Sequence, residues 1–91
     1  MGNTLWGLSF GPSAETFLDD MLPGKFRAQI VKKVKTLLII PYQPGCKKLV
    51  DFKIGGEDVW RIRSGDYRIL YVVREHEVLV IDIDHRKDVY R

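Results

Sequence analysis

The fold of this chain is decided by one stretch of twelve residues, which reads Trp60-Arg61-Ile62-Arg63-Ser64-Gly65-Asp66-Tyr67-Arg68-Ile69-Leu70-Tyr71. Two runs of alternating apolar and polar residues flank a short turn former, a pattern that predicts a β-hairpin. With Gly65-Asp66 as a two-residue turn, the facing pairs are Ile62 with Ile69 and Trp60 with Tyr71. These four side chains then share one face of the hairpin, the face that we expect helices to cover.

Three arginines of the hairpin fall on its other face, because side chains alternate along each strand: Arg61, Arg63 and Arg68. A turn at Ser64-Gly65 would change the pairing but keep the three together. Like charges on adjacent strands repel by roughly a few tenths of a kcal/mol per pair. Two interpretations stay open: a solvated surface paired with nearby aspartates, or an anion site whose guanidinium groups bind phosphate oxygens.

The sequence on either side of the hairpin predicts the remaining elements from hydrophobic periodicity. In chain order they are a strand over Thr4–Phe10, a short helix capped by Ser13, a longer helix from Lys25 to Leu38 with a basic exterior, and strands over Leu49–Ile54, Asp58–Arg63, Tyr67–Arg74 and Glu77–Asp84. The order β-α-α-β-β-β predicts an α+β fold, a small and largely antiparallel sheet with both helices packed on one face.

Length and composition bound the class of protein. Ninety-one residues predict a single domain over 1–91. Cys46 is the one cysteine, so no disulfide forms within the chain, and we expect a cytoplasmic protein without signal peptide or membrane span. The net charge of +3 is too modest to identify a polyanionic partner.

The C-terminal segment carries side chains suited to phosphate chemistry. His85 carries an imidazole, the side-chain type suited to proton transfer near neutral pH, Arg86 is a permanent cation and Tyr90 offers a phenol. A second interpretation of this segment is a site for a hard metal ion, formed by Asp82, Asp84 and His85. Carboxylates two residues apart are common, so we predict no metal site. The absence of a glycine-rich phosphate loop predicts no nucleotide cofactor.

Residues 60–71, followed by His85-Arg86-Lys87-Asp88-Val89-Tyr90-Arg91, closely resemble the RelE branch of the RelE/ParE toxin superfamily. The resemblance extends to residues 41–49 and to the two preceding helices, so it covers nearly the whole chain. It implies the RelE-like fold and a toxin of a type II toxin–antitoxin pair. Such a toxin is a ribosome-dependent endoribonuclease that cuts mRNA in the ribosomal A site. Its 2′-hydroxyl transesterification requires no metal.

The resemblance also implies roles for individual residues. Arg61 corresponds to the basic strand residue of the active site, Arg68 to the phosphate-binding arginine, Arg86 to the arginine after the last strand, and Tyr90 to the tyrosine that orients or stacks on the substrate. His85 is a further candidate for proton transfer. The remaining basic residues expected to bind RNA are Arg63, Lys53, Lys47, Lys48 and Arg91.

The expected partners are a cognate antitoxin, mRNA on the ribosome and, through the antitoxin, operator DNA. Lys32, Lys33 and Lys35 on the outer face of the second helix form a candidate antitoxin contact. Val59 stands where active RelE members often carry a lysine, with Lys53 as a candidate replacement from the neighbouring strand. The alternatives are a ParE-like poison of DNA gyrase and a noncatalytic module that binds RNA or antitoxin.

Overall fold

A computed structural model describes residues 7–21 and 24–85 as one five-stranded sheet with two helices. The elements are β1 (Gly7–Phe10), α1 (Pro12–Thr16, continued by a π-helical turn over Phe17–Met21), α2 (Gly24–Leu37), β2 (Lys47–Ile54), β3 (Glu57–Ser64), β4 (Tyr67–Arg74) and β5 (Glu77–His85). Within these described residues, neither helix has the length and apolar character needed to cross a membrane.

The strands lie in the order β1-β5-β4-β3-β2, so β1 and β2 form the two edges of the sheet. Strands β2 to β5 pair antiparallel, whereas β1 pairs parallel with β5. The predicted α+β class is confirmed. Four strands follow the helices, one more than in the predicted order β-α-α-β-β-β, although each of the four lies where a strand is predicted. The predicted first strand began at Thr4, and residues 4–6 lie outside the described residues.

The central hairpin has the predicted register. Ser64 pairs with Tyr67 across the two-residue turn Gly65-Asp66, and Gly65 has a φ of +61°. A positive φ at the first turn position alone is the type II′ pattern, whose twist matches the flanking strands. A Cβ at this position would also lie 3.2 Å from the Gln29 side-chain nitrogen, so the turn and the passing helix α2 both favour glycine.

The core lies between the helices and one face of the sheet, as the alternation of the hairpin predicts. Its buried members from the helices and the sheet are Ala14, Leu18, Ile30, Val34 and Leu37, and Ile62, Ile69, Tyr71, Val78, Val80 and Ile83. Trp60 is partly buried against this cluster. Burial of this apolar surface is the main favourable contribution to folding, at about 25 cal/mol per Å².

Helix α1 does not begin at Ser13, so the predicted cap is wrong. The N-cap is Gly11, whose carbonyl accepts a hydrogen bond from the Glu15 amide at 3.0 Å, and no side chain caps the helix. Pro12 occupies the first helical turn, where its fixed φ suits the helix and its missing N–H costs nothing. Helix α2 begins at Gly24, one residue before the predicted start.

The loop between α2 and β2 is held against the sheet by two aromatic residues. The Tyr71 hydroxyl donates a hydrogen bond of 2.7 Å to the Pro41 carbonyl. The Tyr42 ring packs edge-on against Trp60, with 4.9 Å between ring centroids. These contacts fix where the rest of the loop, including Pro44 and Gly45, meets strand β3.

We expect Tyr71→Phe to lower the free energy of unfolding by about 1 kcal/mol at pH 7, because the partly buried Pro41 carbonyl loses its donor. Burial, and secondarily the Cys46 thiol beside it, raises the pKa of Tyr71 above its ordinary value of 10.0. Above pH 10 the unfolded tyrosine therefore ionises while the folded one does not, which destabilises the wild type but not the variant.

Urea unfolding at pH 7 and near pH 11 measures both effects. The difference in stability between wild type and Tyr71→Phe narrows as the pH rises above 10. A difference that stays constant with pH would contradict the buried, hydrogen-bonded phenol.

Candidate functional site

The face of the sheet that points away from the helices carries its charges in two rows. One row consists of Lys47, Arg61, Leu70 and Asp82, which lie directly opposite one another on β2, β3, β4 and β5. The next row consists of Arg63, Arg68 and Asp84. Residues opposite one another in a sheet share a face. We therefore call Lys47, Arg61, Arg63 and Arg68 the cationic face.

The arginines of the cationic face differ in burial. Arg68 is only 7% exposed, whereas Arg63 is exposed and Arg61 is half-buried. A buried guanidinium is costly without opposite charge nearby, and Asp84 lies directly opposite Arg68 on β5. Arg68 is thus a fixed cation on a central strand, and the more accessible Arg63 lies beside it. The register confirms the prediction that these arginines share one face.

Two other lysines predicted to bind RNA lie on the opposite face of the sheet. Lys53 is directly opposite Asp58 and forms an ion pair with it at 3.3 Å, while the Lys48 ammonium lies 4.0 Å from the same carboxylate. Asp58 shares the helix-side face with Trp60, two residues along β3. Lys53 therefore does not approach Arg61 to replace a lysine at Val59.

His85 also lies away from the cationic face. It is opposite Tyr67 on the helix side of the sheet, and the two rings meet edge-on at 5.1 Å and 87°. Asp82 and Asp84 point to the other side, so the three residues do not converge as a metal site. No group of three His, Cys, Asp or Glu side chains within residues 7–21 and 24–85 is arranged to hold a metal ion.

Two valines form an apolar end to the face that carries the arginines. Val59 and Val72 are fully buried, yet neither belongs to the core under the helices. Val59 alternates with Trp60 and Val72 with Tyr71, so both face away from the helices. Alternation along β3 places Val59 on the same face as Arg61. The sequence did not indicate that the Val59 side chain is fully buried.

A cavity of about 340 Å³ opens at the edge of β3. Its lining residues are Lys33, Pro44, Gly45, Lys47, Arg61, Ile62 and Arg63. Sequence reasoning missed the contribution of Lys33, which was grouped with Lys32 and Lys35. Those two lysines instead line a separate depression with Arg27, Ala28 and Val31. The three lysines thus divide between two sides of helix α2.

Arg86, Tyr90 and Arg91 lie outside the described residues, and their roles stay predictions. The arginines that the structure describes can act as anion ligands. Each guanidinium offers a planar fork of donors that matches phosphate oxygens, and strands hold such groups more rigidly than loops do. Donors fixed in this way stabilise negative charge that develops on a phosphoryl group during reaction.

Comparison with known proteins reveals one family model that matches residues 8–90, described as the ParE toxin of the parDE type II toxin–antitoxin system. A comparison with curated proteins finds no significant match.

Among solved structures, the chain is similar to one in the RelBE2 toxin–antitoxin complex from Mycobacterium tuberculosis. The identity is 27% and the TM-score 0.75, over 93% of this chain and 95% of that one. It also shares its fold with a chain of the RelE–RelB complex from Pyrococcus horikoshii, at 20% identity and a TM-score of 0.73, over 91% and 97% of the two chains. A chain of the RelB–RelE complex from Methanococcus jannaschii has 21% identity and a TM-score of 0.60, over 90% and 94%.

We expect Val59→Lys to lower the free energy of unfolding by about 3 kcal/mol, because it puts an ammonium group where the native side chain is fully buried. Val50→Lys is the matched control, since Val50 is 80% exposed on β2 and the same change there buries no charge. Urea unfolding of both variants measures the difference. A Val59→Lys protein as stable as Val50→Lys would contradict the sealed environment of Val59.

Proposed function

The chain belongs to the RelE/ParE superfamily of type II toxin–antitoxin toxins, and from this premise we propose that it is an endoribonuclease that cuts mRNA in the ribosomal A site. The observation that carries the proposal is the cationic face. Arg61, Arg63 and Arg68 lie on two adjacent central strands, close enough to engage one phosphodiester and its neighbour. The resemblance of residues 60–71 and 85–91 to the RelE branch supports the same reading.

The proposed reaction is a transesterification within RNA. The ribose 2′-oxygen bonds to the adjacent phosphorus as its proton leaves, and the bond from phosphorus to the 5′-oxygen breaks. The products are a 2′,3′-cyclic phosphate and a 5′-hydroxyl, which gains a proton. Arg61 and Arg68 stabilise the charge that develops on the phosphoryl oxygens, and Arg86 is expected to join them.

Proton transfer requires other groups, because arginine does not lose its proton in proteins. His85 packs against Tyr67 on the helix side of the sheet, away from the cationic face, so the proposed mechanism gives it no role in proton transfer. Tyr90 and groups of the ribosome are the remaining candidates. A site with fixed cations and a weak base is suited to a substrate that a larger assembly orients, which is why we propose dependence on the ribosome.

An antitoxin is the expected protein partner. Three solved structures that contain a chain similar to this one are toxin–antitoxin complexes. The edge strand β2 exposes three apolar side chains, Val50, Phe52 and Ile54. An exposed apolar edge strand invites pairing or covering by another chain. We propose that the antitoxin covers β2, that the complex binds operator DNA through the antitoxin, and that the toxin acts in the cytoplasm.

A ParE-like action on DNA gyrase is the second candidate function. The matched family model describes a ParE toxin, which favours this alternative. Such a toxin inhibits gyrase through protein contacts and leaves mRNA intact. The two candidates therefore differ in which nucleic acid is broken.

We expect Arg61→Gln to reduce mRNA cutting in a translating extract by about 10²-fold, the effect of removing one donor to a developing oxyanion. Arg74→Gln is the matched control. Arg74 is on β4, four residues and about 14 Å along the strand from Leu70, the residue opposite Arg61, and it is bound to Glu57 at 2.8 Å. Mapping of transcript ends, together with a gyrase cleavage assay, gives the measurement.

The control variant is expected to cut like the wild type. Intact mRNA with DNA breaks would establish the ParE alternative. Equal loss of cutting in Arg61→Gln and Arg74→Gln would contradict the assignment of the site to the cationic face.

We expect Val50→Lys to weaken binding to the antitoxin encoded beside the toxin at least tenfold, because it puts a charge into an apolar contact. Ile39→Lys is the control, since Ile39 is 66% exposed in the loop after α2. Titration calorimetry measures both affinities. An equal loss in the two variants, or no loss in either, would contradict binding at β2.

A further inference from the structure

The cavity lies beside β3, at the point where the pairing of β2 with β3 ends. The last residue of β3 that pairs with β2 is Arg61, opposite Lys47. Arg63 and the end of β3 extend beyond the start of β2, so among residues 7–21 and 24–85 no strand pairs with this part of the edge. The Pro44-Gly45 turn and Lys33 of helix α2 line the cavity together with β2 and β3.

Lys33 of helix α2 reaches this edge because Gln29, one helical turn earlier, lies beside Gly65. The side-chain nitrogen of Gln29 lies within 3.2 Å of where a Cβ of Gly65 would be, so the helix passes close to the β3–β4 turn. Residues four apart on a helix lie on the same side. Lys33 therefore follows Gln29 along the edge of β3, whereas Lys32 points to the other side of the helix.

The lining of the cavity is cationic. Three separate elements contribute these cations, Lys33, Lys47, Arg61 and Arg63, and none of the described Asp and Glu side chains belongs to the lining. Within the described part of the chain, no carboxylate lies within 4.0 Å of the Lys33, Lys47 or Arg63 side-chain nitrogens. Four cations around a cavity of about 340 Å³ create a positive potential that favours an anion.

We propose that this cavity binds a backbone phosphate of the RNA, next to the phosphate that is cut, with Lys33 as its ligand from the helix. The inference rests on the proposed function, and it adds a second phosphate subsite to it. Arg61 and Arg63 belong both to the cavity and to the cationic face, so the two sites are continuous. The two arginines are two residues apart on β3, which separates them by about 6.8 Å along the strand.

The continuity of the two sites favours a polynucleotide over an acidic peptide. A nucleic acid strand carries one negative charge on every linkage, so a strand held at the cationic face presents its next phosphate to whatever lies beside that face. An acidic side chain of a protein would occupy the cavity alone and would not explain why the cavity is continuous with the cationic face. Lys33 thus extends the phosphate contacts around the free edge of the sheet.

The test uses a trinucleotide RNA with a 2′-O-methyl group on every ribose, which removes the attacking hydroxyl and prevents cutting. Three versions are compared, one with both phosphates and two with a neutral methylphosphonate at one or the other linkage. Binding to the wild type, Lys33→Gln and the control Lys32→Gln is measured by fluorescence anisotropy at several salt concentrations. Thermal unfolding of each variant reports on folding.

We expect Lys33→Gln to bind the trinucleotide with both phosphates about fivefold more weakly than the wild type. The slope of log affinity against log salt falls in magnitude by about 0.7, the contribution of one phosphate contact in a single strand. With one of the two methylphosphonate versions, the wild type and Lys33→Gln bind equally well. Lys32→Gln behaves like the wild type throughout.

The proposal is overturned if Lys33→Gln and Lys32→Gln behave alike, including the case in which no protein binds at low salt. It is also overturned if the loss is the same for all three versions, or if Lys33→Gln weakens only the antitoxin complex. Because the trinucleotide cannot be cut, the result is independent of catalysis. An absence of mRNA cutting, together with the expected binding pattern, would refute the endoribonuclease and leave the phosphate subsite standing.

Discussion

The pairing register of β3 with β4 is the constraint on which both sides of the sheet depend. The type II′ turn at Gly65-Asp66 sets this register. A slip by one residue would turn Ile62 towards solvent and Arg61 towards the helices, because side chains alternate. Burial of the helix-side residues is therefore the force that holds the arginines together on the other face. The core stabilises an arrangement of like charges that repel one another.

The paired faces and the order of elements could be predicted from the sequence, because both follow from local periodicity and turn chemistry. The parallel pairing of β1 with β5 could not, since it joins residues about seventy positions apart. An irregularity in the β4–β5 register also had no local signal. Leu70 pairs with Asp82 but Tyr71 with Val80, so Ile81 is an extra residue and Val80 and Ile83 both reach the core.

The candidate site was predictable only where the hairpin defines it. Arg61, Arg63 and Arg68 follow from alternation along two strands. Lys53 was misjudged because the register of β2 shifts between Lys48 and Lys53, which turns Lys53 to the face of Asp58. Lys33 was missed because helical periodicity identifies an outer side without showing which strand edge it approaches. Contacts between elements, not patterns within them, decide these positions.

The central claim is that a ribose 2′-hydroxyl attacks a phosphate held by the cationic face. Its most direct test is an mRNA with a single 2′-deoxy nucleotide at the mapped cleavage position, decoded in the A site of a translating ribosome. The account predicts that this message stays intact, while the all-ribose message is cut to a 2′,3′-cyclic phosphate and a 5′-hydroxyl. Equal cutting of the two messages would contradict it.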